Sequence, residues 1–498
     1  MKRCITNRLL LDGFVAAFGL MLAGRGTGQT FLALHSFKAG TGSCPILTNS
    51  DGVGPGSLIL SGNTLYGAAW GGGSAGSGTV FKLNTDGTGF ETLYSFTASS
   101  LNPSSACYAF VNSDGVAPGS LILSGNTLYG AAWGGGSGGN GTVFKLNTDG
   151  TGFETLYSFA ASSPDSSGDC YAFVNSDGVA PGSLIVSGNT LYGTAELGGS
   201  AGSGTVFKLY TDGTGFTNLY SFTDGIVAWP YGLILSGDTL YGTALFMKST
   251  LVEWYSAGFS LRADGTDFTS RSFSPTPAGN LRLILSGTAV YGVFSGPLLK
   301  RHAGQPGSSG NVFIANADNT DFTNLYNFTA TDISGCNGDG AGPNGLILSG
   351  DNLYGVTTEG GSSGFGTVFT VKTDGTGFAV LYSFTGGDGG EDPDGGLILS
   401  GNTLYGVTTK GGSSGYGTVF SLSFRPRLTI TASDTSLILT WPANYAGFDY
   451  TGFTLQSSTN LNSSAVWTTN LPSPVVINGQ NTVTNPISGT QKFFRLSK

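Results

Sequence analysis

Four short segments recur in the same order along most of this chain, and that recurrence limits the fold more than any other feature. The first reads Leu-Ile-Leu-Ser-Gly and ends at Gly62, Gly125, Gly188, Gly237, Gly287, Gly350 and Gly401. The second, Leu-Tyr-Gly, carries Tyr66, Tyr129, Tyr192, Tyr241, Tyr291, Tyr354 and Tyr405. The third, of Gly-x-Val-Phe type, carries Phe81, Phe144, Phe207, Phe259, Phe313, Phe369 and Phe420. The fourth resembles Leu-Tyr-Ser-Phe and ends at Phe37, Phe96, Phe159, Phe222, Phe273, Phe328 and Phe384. Each is a short apolar and aromatic run bounded by Gly, Asn, Asp or Ser, the pattern of a strand between turns. Ser-Gly-Asn between the first two leaves room for a tight hairpin, so one unit predicts a four-stranded antiparallel meander. A four-stranded repeat of about 50 residues has the length of a propeller blade.

The two ends complement each other. Phe31–Phe37 is a fourth strand with no preceding three, and Thr418–Phe424 is a third strand with no fourth. Together they make one blade, which is how a propeller closes and removes its sheet edges. The predicted fold class is therefore all-β: a seven-bladed β-propeller with four-stranded blades over 29–424, the N-terminal strand closing the last blade. From Arg425 the repeat stops. Arg425-Pro426-Arg427 reads as a junction. Short alternating segments follow at Leu428–Ala432, Ser436–Trp441, Phe453–Ser457, Ala465–Thr469, Val475–Asn478, Thr482–Thr484 and Lys492–Leu496. They predict a small β-sandwich of Ig or fibronectin-III type over 425–498, serving as spacer or surface attachment.

The repeat resembles the Gloeo/Verruco tandem repeat of secreted bacterial "choice-of-anchor" proteins. The resemblance rests on Gly56–Gly67, Gly78–Gly87 and Leu93–Phe96 with their six echoes, and covers residues 30–424. It implies secretion and a propeller-like repeat, and no particular activity. The N-terminus reads the same way. Lys2, Arg3 and Arg8 precede an apolar stretch at Leu9–Ala23 and small residues through Gly28, the layout of a signal peptide over 1–28. Localisation is thus expected to be secreted or at the cell surface. There Cys44, Cys107, Cys170 and Cys336 are candidate disulfide cysteines, with three pairings open.

Composition narrows the partners. The net charge is −9 with 10% charged residues, which excludes the Lys/Arg footprint that nucleic acid requires. No apolar run of membrane-spanning length occurs after the N-terminus. The expected partner is a polysaccharide or a surface protein, bound by a monomer. Long variable loops precede each first strand, as at Lys38–Pro55, Thr97–Pro118, Ala160–Pro181 and Thr329–Pro343, and binding residues concentrate on such loops. This face carries Trp70, Trp133, Tyr108, Tyr171 and Trp229, whose flat rings suit sugar or peptide ligands, together with Glu196 at the position matching Trp133.

Catalytic signatures are weak. Five G-x-S-x-G sequences, centred on Ser74, Ser137, Ser200, Ser362 and Ser413, fall in repeated glycine-rich turns rather than in a strand-to-helix elbow. His35 and His302 are the only histidines, so His-based triads and multi-His metal sites are excluded. His35 stands where other repeats have Tyr and reads as structural. Asp51, Asp114, Asp177 and Asp339 recur before Gly and offer oxygen atoms to Ca²⁺, but no full calcium loop is present and Asp-Gly is an ordinary turn. No catalytic residue, metal or cofactor is predicted. The leading expectation is a non-catalytic binding or display propeller. The alternatives are a carbohydrate-active enzyme using carboxylates such as Glu196, Glu253 and Glu359, and a structural spacer.

Overall fold

The computed structural model describes residues 27–498 apart from 44–45, 102–109, 165–172, 224–226, 249–252, 273–280, 288, 297–308, 317–321, 434, 462–464, 470 and 488–490. The expected leader up to residue 26 lies outside the described residues, as do Cys44, Cys107, Tyr108, Cys170, Tyr171 and His302. Among the described residues the regular structure is all strand, save one short 3₁₀ turn at Gly387–Gly389.

The repeat region forms successive four-stranded antiparallel sheets. The first contains Val53–Ser61, Thr64–Gly71, Thr79–Asn84 and Glu91–Ser95, in sequence order. Sheets of the same order lie within 116–158, 179–221, 227–272, 281–327 and 341–383. The last takes Glu391–Ser400, Thr403–Lys410 and Thr418–Pro426, and completes itself with Thr27–Ser36 from the other end of the chain. In that pair Phe31 lies opposite Leu422 and Ser36 opposite Thr418. First strands of neighbouring sheets touch one another in a closed cycle, with Glu391–Ser400 against both Ala341–Ser349 and Val53–Ser61. The first strands therefore surround a common axis, and the fourth strands lie outermost.

The repeated residues explain the packing. In each sheet the glycine of Leu-Tyr-Gly faces the Val-Phe phenylalanine across the ladder, as Gly67 faces Phe81. A Cβ at these glycines would sit 2.2–2.6 Å from the ring's Cζ in all seven sheets. The phenylalanine thus lies flat across its neighbour strand, in space that only glycine leaves. Leu65, Val80, Phe81 and Leu83 are fully buried, and the apolar clusters form between adjacent sheets.

A second aromatic contact spans six of the seven seams among the described residues. Tyr94 stacks on Phe153 of the next sheet at 3.7 Å, Tyr157 on Phe216 at 3.9 Å, Tyr220 on Phe268 at 3.8 Å and Tyr326 on Phe378 at 3.6 Å. The strand Thr27–Ser36 contributes to two seams. Phe31 stacks on Tyr382 at 4.3 Å, and His35 on Phe90 at 3.6 Å.

The C-terminal residues build a four-stranded sheet in the order Thr429–Ser433, Ser436–Pro442, Gln480–Pro486, Val475–Ile477, with Thr454–Ser458 pairing Phe493–Ser497. Two expectations are corrected. Arg425 and Pro426 are no junction: they continue the strand Thr418–Pro426, opposite Gly28 and Thr27. Ala465–Thr469 is no strand, because Thr468 makes only an isolated bridge to Ser457. The module also shares one core with the repeat region. Trp441 and Tyr450 are fully buried, Phe448 stacks on Phe424 at 4.6 Å, and the Tyr354 hydroxyl donates to Ala446 O at 2.6 Å. Burial pushes the Tyr354 phenol up to about 12. The module covers the side bearing the turns between first and second strands, at Asn352 and Asn402.

Substituting Gly130 by Ala forces its Cβ into Phe144 in a full core. Thermal or urea unfolding should show a loss of about 1–3 kcal/mol. An unchanged midpoint would refute the ring-on-glycine packing.

Candidate functional site

The opposite side, where second strands end and first strands begin, is not covered by this module. Register fixes which residues meet there. Val53 pairs with Gly71 and Pro55 with Ala69, so Gly54 faces Trp70. By the same register Ala117 faces Trp133, Ala180 faces Glu196, and Trp229 faces Leu245. The sixth and seventh sheets place Thr358 and Thr409 at this position, each bonded to the carbonyl opposite.

Trp70 and Trp133 are 52% and 55% exposed, so they do not cap the layer between sheets. Their settings differ for a local reason. A Cβ at Gly54 would lie 1.8 Å from Trp70 Nε1, so the indole lies directly over that glycine. Ala117 occupies the corresponding place in the next sheet, and the Trp133 indole stands near Glu196 of the third sheet. Gly54, Ala117 and Ala180 have φ of 62°, 56° and 60°. Their N–H groups donate to Tyr416, Ser77 and Asn140 carbonyls of the preceding sheet, which fixes each first strand at the rim.

The wall around the axis is uneven. One step past the proline, the first three sheets have Gly56, Gly119 and Gly182, and a Cβ there would meet nothing closer than 3.8 Å. The next four sheets carry Tyr231, Arg282, Asn344 and Asp394 at that level, paired with Thr243, Val293, Val356 and Val407 of their second strands. Tyr231 Oη accepts from Leu281 N–H at 2.8 Å, and Asn344 Nδ2 donates to Asp394. Glu196 uses the bare half, its Oε1 3.9 Å from the Cβ position of Gly182. Burial pushes the Glu196 carboxyl above its ordinary range, opposed by the Trp133 indole and the charge of Arg282. In the fifth sheet Arg282 alone fills the place that the first three sheets give to the irregular pairs Gly56-Ser57, Gly119-Ser120 and Gly182-Ser183.

The structure thus brings Trp70, Trp133, Glu196 and Trp229 to one rim. Sequence reasoning missed Arg282, Asn344 and Asp394. Their repeats diverge where the first strands begin, and only the ladder sets them level with Gly56 and Ser57. Glu359 is exposed and, with Glu391 and Asp392, surrounds Lys410, whose ammonium contacts Asp392 at 2.8 Å and is pushed up by it.

The recurrent aspartates work for the fold. Tyr94, Tyr157 and Tyr326 donate to Asp114, Asp177 and Asp339 at 2.7–2.8 Å, and the Thr97, Ala160 and Thr329 backbones add further bonds. Burial, with the carboxylate beside them, pushes these three phenols up. His35 takes the tyrosine role toward Asp51, Nε2 to Oδ2 at 3.1 Å. Ser74 and Ser137 bond Ser95 and Ser158 within glycine-rich turns, with no histidine in contact. Cys336 is disulfide-bonded, and the other cysteines lie outside the described residues.

Fold and rim together define an all-β repeat protein of propeller-like class. The chain belongs to the Gloeobacter/Verrucomicrobia repeat family, whose sequence model matches residues 100–297 and 300–437. No curated protein matches the sequence. Among solved structures, oligogalacturonate lyase from Vibrio parahaemolyticus is similar at 9% identity, with 80% of this chain and 96% of that one covered and a TM-score of 0.45. YCF48 bound to D1 peptide is similar at 9%, covering 78% and 99%, with a TM-score of 0.42. A 6-phosphogluconolactonase-like protein from Bacteroides fragilis is similar at 13%, covering 89% and 97%, with a TM-score of 0.41. Scores this low carry nothing about ligand or activity.

Because the folded state raises the Glu196 carboxyl, it binds more protons than the unfolded chain, and stability falls as pH rises above the ordinary carboxylate value of 4.5. Glu196→Gln removes that loss. Its melting temperature relative to wild type should rise between pH 4 and pH 7. A pH-independent difference would contradict the placement.

Proposed function

We propose that this is an exported seven-bladed β-propeller that binds a glycan on its loop-bearing side, without catalysis, and carries a C-terminal sandwich of Ig or fibronectin-III type. The closed cycle of first strands and the strand Thr27–Ser36 in the last sheet support the propeller reading. The disulfide at Cys336 supports an oxidising compartment, as does the leader-like N-terminus. The carrying observation is the rim itself: two exposed indoles on adjacent sheets beside a half-buried carboxyl. Aromatic faces stack on the apolar faces of sugar rings, while a carboxyl accepts from hydroxyls. The module packed under the sixth and seventh sheets leaves this side free and suits a spacer or attachment role. A monomer is the expected unit.

Glu196 alone favours the second reading, a carbohydrate-active enzyme, since a raised carboxyl suits a general acid. A glycan array with the mature chain separates the two. The propeller reading predicts saturable binding with no released product. Trp133→Ala should weaken that binding by about tenfold, as loss of an aromatic contact of roughly 1–1.5 kcal/mol requires. Released oligosaccharide would establish the enzyme instead. Affinity unaffected by Trp70→Ala and Trp133→Ala together would remove the rim from the account.

A further inference from the structure

Arg282 has no task in the fold. It lies on Leu281–Ser286, the first strand of its sheet, where the first three sheets have small Gly-Ser pairs. Its Nε is buried with no hydrogen-bond partner, and none of the ion pairs among the described residues includes it. A guanidinium has five donors in a planar fork matched to a carboxylate, and leaving a buried one unmade is costly. Its charge acts on Glu196, yet the two groups do not meet in an ion pair. A cation on the first strand of the fifth sheet and a carboxyl at the rim of the third thus lie within electrostatic reach without pairing. Gly56, Gly119 and Gly182 leave their half of the wall without side chains, and the exposed indoles of Trp70 and Trp133 stand at its rim.

We propose that Arg282 anchors a carboxylate, and that the site takes an acidic sugar, one bearing a carboxyl on the ring, rather than a neutral one. This rests on the glycan-binding reading above and adds the ligand's charge to it. The carboxylate takes the Arg282 fork, a ring hydroxyl donates to Glu196, and a ring face lies on Trp133 or Trp70. The overall negative charge of the protein would repel such a ligand at long range, so selection for it depends on this one guanidinium.

The test uses the full chain and matched pairs of oligosaccharides, each a neutral hexose oligomer and its counterpart oxidised to the carboxylate at C6, over several linkages. Binding is read by tryptophan fluorescence and calorimetry. For at least one linkage the acidic member should bind about tenfold more tightly than the neutral one, as one charge-assisted fork allows. That preference should shrink in about 0.5 M NaCl. Arg282→Gln should abolish it, and Arg282→Lys, which keeps the charge without the fork, should retain part of it and serves if the Gln variant does not fold. Equal or better binding of the neutral members overturns the proposal and leaves the glycan reading standing. So does an acidic preference that survives Arg282→Gln. A shift in melting temperature with no change in preference would show that Arg282 only balances Glu196. Binding of neither member, in any linkage, sinks the glycan reading and this inference together.

Discussion

The pairing of Thr27–Ser36 with Thr418–Pro426 is the constraint on which the rest depends. Without it the last sheet has three strands, an open edge and two unmade seams. The same ten residues supply Phe31 to Tyr382 on one side and His35 to Phe90 on the other. Closure by the chain's own end is long-range in sequence, so its entropic cost is met only once the intervening sheets are in place. What offsets it is burial repeated around the cycle: a ring laid over glycine inside each sheet, and a tyrosine or histidine stacked between sheets at six seams.

That regularity produces a uniform scaffold, and function enters where it is broken. The second-strand positions facing the rim carry Trp70, Trp133, Glu196, Leu245, Thr358 and Thr409, four different side-chain types on strands that share one register. Gly54 and Ala117 differ by a methyl group, and only the glycine leaves room for an indole directly over its backbone. The C-terminal module reinforces the asymmetry. By burying Tyr354, Phe424 and Phe448 it closes off turns on one side and leaves the rim as the open one.

The strand order, the paired ends and the structural role of His35 were legible in the sequence because repetition averages out local ambiguity. Seven copies of Leu-Tyr-Gly and Val-Phe identify a glycine opposite a phenylalanine more firmly than either segment alone. Trp70, Trp133 and Glu196 were legible for the related reason that they differ among near-identical copies. Arg282, Asn344 and Asp394 were not, because the fifth to seventh repeats diverge just where their first strands begin. Only the ladder shows that these residues follow the same turn as Gly56 and Ser57. The C-terminal module was read one strand too generously at Ala465–Thr469, since alternation without a partner strand leaves only a bridge. Its fusion to the sixth and seventh sheets was not legible, as contacts between Phe424 and Phe448 have no local signature.

Hydrogen exchange followed by mass spectrometry tests the closure most directly. If the chain's ends share one sheet, the amides of Thr27–Ser36 should exchange as slowly as those of Thr418–Pro426, and both only through global unfolding. Rapid exchange across Thr27–Ser36, with the other strands protected, would contradict the account.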